Sequence, residues 1–189
     1  MKATLKVGYA GLAREQLLDK AYELGFDFEK RSHSCSQSAV AAMHEMLDID
    51  DVVVRVATSS AGGQAARVTG TCGALIGGTI VLDYFFGRSV ADLSHTDQVQ
   101  ANLAPLHDAV GIAGSLFDKF VAEHGTIICP HLQTRLFGRF FFISDEQEMA
   151  KFERLGGHTD PEKSCCRVVG NTSRWVMELL LDKNIIPLT

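Results

Sequence analysis

The sequence predicts an all-α fold, a bundle of six or seven helices with cysteines at helix N-termini, and three observations carry that prediction. Apolar residues recur at helical spacing almost throughout, one stretch holds a heptad seam, and capping residues stand ahead of several apolar runs. Leu17, Leu18, Ala21, Leu24 and Phe28 share one helical face, and Gly25 reads as the stop of that helix. A second helix turns Ala39, Val40, Met43, Met46 and Leu47 inward. Val52, Val53 and Val56 suggest a short third helix, although three valines suit a strand as well. The glycine-bearing stretch from Ser59 to Gly70 follows. Its Ser60-Ala61-Gly62-Gly63-Gln64 lacks the Gly-Lys-Ser/Thr of a phosphate-binding loop, so it reads as a turn.

From Cys72 to Phe86 the chain is apolar nearly all round, as expected of a central, buried helix. Val99, Leu103, Leu106, Val110, Ala113, Phe117 and Phe120 then alternate steps of four and three, an a/d seam on a helix from about Asp97 to His124. Pro105 should kink that helix or break it near residue 104. Gly125 to Lys163 is less regular, with a short helix at about Pro130 to Phe137 and a buried extended run at Phe140-Phe141-Phe142-Ile143. Val168, Val169, Thr172, Trp175, Val176, Leu179 and Leu180 mark the last helix.

No repeat, low-complexity tract or linker divides the 189 residues, so residues 1–189 read as one helical domain. Apolar residues make up 46%, enough for a core that needs no disulfide staples. The net charge of −5 argues against an electrostatic footprint for nucleic acid. The longest apolar stretch is broken by Asp83 and is too short to span a membrane, and the opening MKATLKVGYAG has no secretory apolar region. A soluble, cytoplasmic protein is expected.

Cysteine placement carries the chemistry. Ser34-Cys35-Ser36-Gln37 reads as a capping box that puts Cys35 at the first helical position. Thr71 is a good cap for a helix opening at Cys72, and Pro130 makes Cys129 a cap candidate. Ser164 can cap the last helix with Cys165 in its first turn; Asp160 with Pro161 is the competing cap. A helix N-terminus offers free N–H donors and partial positive charge, which favour thiolate over thiol. Four such starts brought together would hold several thiolates at once. Placement alone equally allows four small hydrophobes near helix ends. There is no Cys-x-x-Cys, so any shared site must be assembled by the fold. Of the neighbours Cys165 and Cys166, Cys165 lines up with the stronger apolar face, Val169, Thr172, Val176 and Leu179.

The pieces Ser34-Cys35-Ser36-Gln37, Gly70-Thr71-Cys72-Gly73-Ala74-Leu75-Ile76-Gly77-Gly78, Cys129 after Gly125-Thr126-Ile127-Ile128, and Cys165 before Val168-Val169-Gly170-Asn171 resemble the redox-active proteins known by the shorthand C-GCAxxG-C-C. The resemblance runs from about residue 15 to 182. It implies a redox role centred on Cys35, Cys72, Cys129 and Cys165. Similarity of that family to an iron–sulfur-bearing portion of some multihaem electron carriers implies a cluster. The chain departs from the shorthand in reading Gly-Thr-Cys-Gly-Ala and in carrying an extra thiol at Cys166. Covalent haem is excluded by the lack of Cys-x-x-Cys-His.

Gly73 and Gly77 allow close backbone approach to a cofactor, or close helix packing. His33 and His131 stand two residues from Cys35 and Cys129 and could tune or ligate, and Arg135, Arg139 and Arg167 could lower thiolate pKa values. The leading expectation is electron transfer through an iron–sulfur cluster held by the four cysteines, working with an unidentified redox partner protein. The alternatives are a metal-free thiol/disulfide protein and a module with a structural Cys₄ zinc. A homodimer through the exposed edge of the seam is allowed for.

Overall fold

The protein is described by a computed structural model covering residues 2–93 and 99–187. The helices are α1 (Arg14–Ser32), α2 (Cys35–Met46), α3 (Asp51–Val56), α4 (Gly73–Phe86), α5 (Val90–Leu93), α6 (Val99–His124), α7 (Cys129–Phe137), α8 (Glu146–Arg154) and α9 (Cys165–Asp182), with a 3₁₀ turn at Thr58–Ser60. The fold is all-α, with nine helices and no sheet among the described residues, more than the six or seven expected. The additional helices are α5 and α8. The latter is announced by Asp145, whose side chain accepts from the N–H groups of Gln147 and Glu148.

Two long helices, α1 and α9, lie along one another, and α4 packs against α2, α6 and α9. The intimacy of the α1–α9 crossing explains one misread residue. Gly25 does not stop α1; it is buried mid-helix, and a Cβ there would overlap the Ser173 hydroxyl and approach Val169 O at 3.0 Å. The helix runs on to Ser32 and closes at His33, which takes the left-handed conformation of a C-cap (φ 54°). The inward set of α2 is as the spacing predicts, with Ala39, Val40, Met43, Met46 and Leu47 all buried. In α3 only Val53 of the three expected valines is buried, while Val52 and Val56 face out.

The heptad seam holds at Phe120, which is buried as expected, but fails at Val110 and Phe117. Val110 is 58% exposed and Phe117 42%, while Ala109, Leu116 and Phe120 are buried and Ile112 packs on the core. A straight helix has 3.6 residues per turn, and α6 meets α4 and α9 rather than a parallel partner, so the face it buries drifts off a 3.5-residue register. The helix continues through Pro105 without a break; the expected start at Asp97 lies outside the described residues. Of the run 140–143, Phe141 is buried, whereas Phe140 and Phe142 are exposed, the alternation of an extended segment. Among the described residues no helix is long and apolar enough to cross a membrane.

Two stability predictions follow from this packing. A Cβ at Gly77 would overlap the Ser36 carbonyl and sit 3.0 Å from Ala39 Cβ, whereas Gly111, also helical, has nothing within 4 Å. In urea melts Gly77→Ala should therefore destabilise by about 1–3 kcal/mol through overpacking. Gly111→Ala should stabilise by about 0.5–1 kcal/mol through helix propensity. His124 is buried beside Phe120 and Trp175, its Nε2 finds no hydrogen-bond partner among the described residues, and burial lowers its pKa to about 4. The unfolded ring, near 6.5, binds its proton first as pH falls, so stability drops between pH 6.5 and 4, by up to roughly 3 kcal/mol. His124→Leu should flatten that part of the stability–pH curve.

Candidate functional site

Each of the four separated cysteines opens or caps a helix. Cys35 is the first residue of α2. The expected capping box is not completed, because Ser34 Oγ donates to Gln37 Oε1 (3.1 Å) instead of accepting a helix N–H. Gln37 in turn donates to Val54 O and Thr58 Oγ1, tying α2 to the 3₁₀ turn. Cys72 is itself the N-cap of α4, one place earlier than expected, and Cys129 is the first residue of α7, one place later. Ser164 caps α9 as expected, accepting from the Arg167 N–H, and Cys165 is its first residue.

Backbone bonds bring these starts together. Thr71 and Ile128 form an isolated antiparallel bridge, flanked by Cys72 N–H to Ile127 O (2.7 Å) and Cys129 N–H to Gly70 O (2.9 Å). Cys165 N–H donates to Gly157 O (2.9 Å), which fixes the start of α9 to the turn after α8. The result is one cavity of about 200 Å³ lined by Cys35, Cys72, Cys129 and Cys165. Its walls are largely apolar, including Leu132, Ile143, Phe152 and Val168, with Glu29, His33, Gln133 and His158 as polar members. Cys166 points away, its thiol donating to His158 O (3.1 Å) in the core.

The turn from Ser59 to Gly70 forms one wall. Five successive residues, Gly62, Gly63, Gln64, Ala65 and Ala66, have left-handed φ angles between +48° and +76°, and Val68 adds a sixth (+54°). Left-handed backbone costs a residue with a Cβ roughly 1–2 kcal/mol. Glycine is required where the turn touches the site, since a Cβ on Gly63 would lie 2.7 Å from Cys129 Cβ. Val68 N–H to Gly62 O and Gly70 N–H to Gly63 O, both 2.9 Å, close the turn. This conformation leaves the Gly62 N–H directed at the Cys35 sulfur.

The helix starts act on the sulfurs in the expected sense. N–H groups of Ser36 and Gly62 bond Cys35, those of Ala74 and Leu75 bond Cys72, and Gln133 Nε2 reaches Cys129 Sγ at 3.8 Å. Burial outweighs them. It pushes Cys72 and Cys129 up to about 12 and raises Cys35 and Cys165 well above the ordinary thiol range, helped by the neighbouring thiols and, for Cys35, Cys72 and Cys165, by Glu29. With only protein around them, burial therefore favours the thiol over the thiolate at all four, against the expectation from the helix starts alone. Their spacing also bears on what they can hold. Among the described residues, the trio of metal-ligating atoms lying within 4.8 Å of one another is His33, Glu153 and His158, and no three cysteine sulfurs draw that close. A tetrahedral zinc, with Zn–S of about 2.3 Å, needs sulfurs about 3.8 Å apart.

Of the glycines, Gly73 belongs to the cavity wall, where a Cβ would overlap the Cys35 sulfur; Gly77 serves the α2–α4 packing instead. His131 is exposed and does not line the cavity, because the first turn of α7 carries it to the outer face. The arginines do not line it either. Arg167 pairs with Glu123, Arg139 pairs with Glu148, and the Arg135 guanidinium lies against Gly125. His33 does line it. Gln133, Glu29 and His158 were not singled out from the sequence. The first two had a signal: Gln133 stands one helical turn after Cys129, and Glu29 continues the four-residue steps Ala21, Gly25, Glu29 along the buried face of α1. His158 follows an irregular turn and had none.

The sequence model of the family described as "Putative redox-active protein (C_GCAxxG_C_C)" matches residues 33–179, somewhat less at the N-terminal end than the resemblance read from the sequence. No curated protein and no solved structure matches the chain.

In metal-free, reduced protein, iodoacetamide should label all four cavity thiols slowly at pH 8. The rate should climb about tenfold per pH unit toward pH 11, as the thiolate fraction does below a raised pKa. Intact-mass spectrometry counts the adducts; labelling at free-cysteine speed at pH 7 would show open, ionised thiols instead.

Proposed function

The chain belongs to the redox-active four-cysteine family, and from that premise we propose that it transfers single electrons through an iron–sulfur cluster held by Cys35, Cys72, Cys129 and Cys165. The observation that carries the reading is the convergence of four thiols, from four separate helix starts, on one largely apolar cavity. The donor set suits the group. Iron–sulfur clusters are held by cysteine thiolates, and the cavity offers four. Such a cluster, when bound, supplies one-electron chemistry at a potential that its surroundings set.

The residues have definable tasks. The four thiols release their protons on loading, which their raised pKa values make dependent on pH. N–H groups of Ser36, Gly62, Ala74 and Leu75 and the Gln133 amide bond the sulfurs; such bonds offset negative charge on a reduced centre and raise its potential. Leu132, Ile143, Phe152 and Val168 exclude water. A metal-free exchange cycle is less favoured, since it needs an accessible thiolate, and here Cys72 and Cys129 are buried and burial favours the thiol at all four positions. We place the protein in a reducing compartment, the cytoplasm, where its five free cysteines persist, and expect it to meet a redox partner protein.

Protein purified anaerobically from iron-replete cells should carry iron and acid-labile sulfide in equal amounts, with sulfur-to-iron absorption in the visible. Cys72→Ser and Cys165→Ser should lose most of the iron, and Cys166→Ser should keep it. Zinc in place of iron would make the site structural. A colourless, metal-free protein whose thiol count falls on oxidation would replace the cluster with disulfide chemistry.

A further inference from the structure

A second constellation adjoins the thiols and has no part in holding them. His33 caps the C-terminus of α1, Glu153 lies in the last turn of α8, and His158 sits on the turn beyond it. The two imidazoles stack, 3.9 Å between centroids and 12° from parallel, and both present Nδ1 to one carboxylate oxygen. His158 Nδ1 lies 2.6 Å from Glu153 Oε1, and His33 Nδ1 lies 3.7 Å from it. On the far side of His158, Nε2 faces Oε1 of Glu29 at 3.5 Å. Glu29 is only 2% exposed and is fixed in turn by the Ser38 hydroxyl at 3.0 Å.

His158 is oriented as a metal-binding histidine is, with one ring nitrogen turned to Glu153 and the other facing a buried carboxylate, and the half-exposed His33 ring has room to turn out of the stack and bring its in-plane lone pair onto the same ion. The surroundings favour positive charge. Two carboxylates flank His158, and α1 and α8 both end here, each directing the partial negative charge of its C-terminus at the cluster.

We propose that His33, Glu153 and His158 bind a divalent first-row transition-metal ion, with Glu29 orienting His158. The ion takes the place of the proton shared between His158 Nδ1 and Glu153 Oε1, which is released. Two nitrogens and one carboxylate oxygen suit iron(II), cobalt(II) or zinc rather than calcium or magnesium. Three protein ligands leave at least one coordination position for water or a small ligand. His33, His158 and Glu29 all line the thiol cavity, so an ion here neighbours the cysteine site, yet it does not depend on how that site is filled.

Cobalt(II) is the probe, added to metal-free, reduced full-length protein and followed by optical absorption. Cobalt on nitrogen and oxygen shows weak visible bands without the near-ultraviolet charge transfer that thiolate ligation adds, so the two sites report separately. The expected result is a saturable component of weak visible bands alone. His33→Gly and Glu153→Gln should weaken it by tenfold or more and leave any thiolate bands unchanged. His33→Gly suits the left-handed C-cap, so its metal-free melting temperature should hold at the wild-type value, and lost binding cannot be assigned to unfolding. Unchanged cobalt affinity in both variants would overturn the site. So would a spectrum in which every cobalt band carries thiolate charge transfer and disappears in Cys72→Ser.

Discussion

Two backbone hydrogen bonds, Cys72 N–H to Ile127 O and Cys129 N–H to Gly70 O, hold the rest of the site in place. They clamp the starts of α4 and α7 side by side around the Thr71–Ile128 bridge, although the two segments are far apart in the chain. The first N–H groups of a helix have no partner within it and must find one nearby. Here the partners are a facing strand of backbone and the sulfurs themselves. The same groups that would be a liability at a buried helix end become the polar lining that buried sulfur needs.

The turn between the 3₁₀ segment and α4 is the second element of that frame. Its left-handed run is costly for Gln64, Ala65, Ala66 and Val68, and a set of backbone hydrogen bonds within the turn, among them Ala65 N–H to Ser59 O and Val68 N–H to Gly62 O, holds it there. Backbone strain of this kind tends to be kept at functional sites, where its surroundings over-determine it. What it secures is an N–H on Cys35 and a wall with no side chain to fill the cavity. Gly73 works to the same end from α4, leaving room for the Cys35 sulfur.

Much of this was legible in the sequence, and the errors have physical causes. Helical period and capping residues located α1, α2, α4, α7 and α9 and placed all four cysteines within one position of a helix start, since both signals are local. Cys165 lines the cavity, but not because its face is the more buried: Cys166, aligned with Gly170, Ser173 and Met177, is the fully buried thiol of the two. Tertiary packing decided what local pattern could not. Gly25 looks like a stop until Ser173 and Val169 are pressed against it, and the face of α6 follows α4 and α9 rather than its own heptad. The neutral thiols were the deepest misreading. Helix starts do favour thiolate, but the depth of burial, which wins, is a property of the whole fold. The left-handed turn was similarly hidden, because alanine and valine give no hint of positive φ.

The α1–α9 pairing has a consequence for how the protein is made. Residues near one end of the sequence wait for a helix near the other, and Cys165 joins the remaining three only when α9 settles onto α1. A chain emerging from the ribosome therefore exposes three of its four thiols before any enclosed chamber exists around them. The helix that bears Cys165 closes the chamber that the other three helix starts leave open. Until that helix has docked, the chain depends on a reducing environment to keep its other cysteines from pairing wrongly.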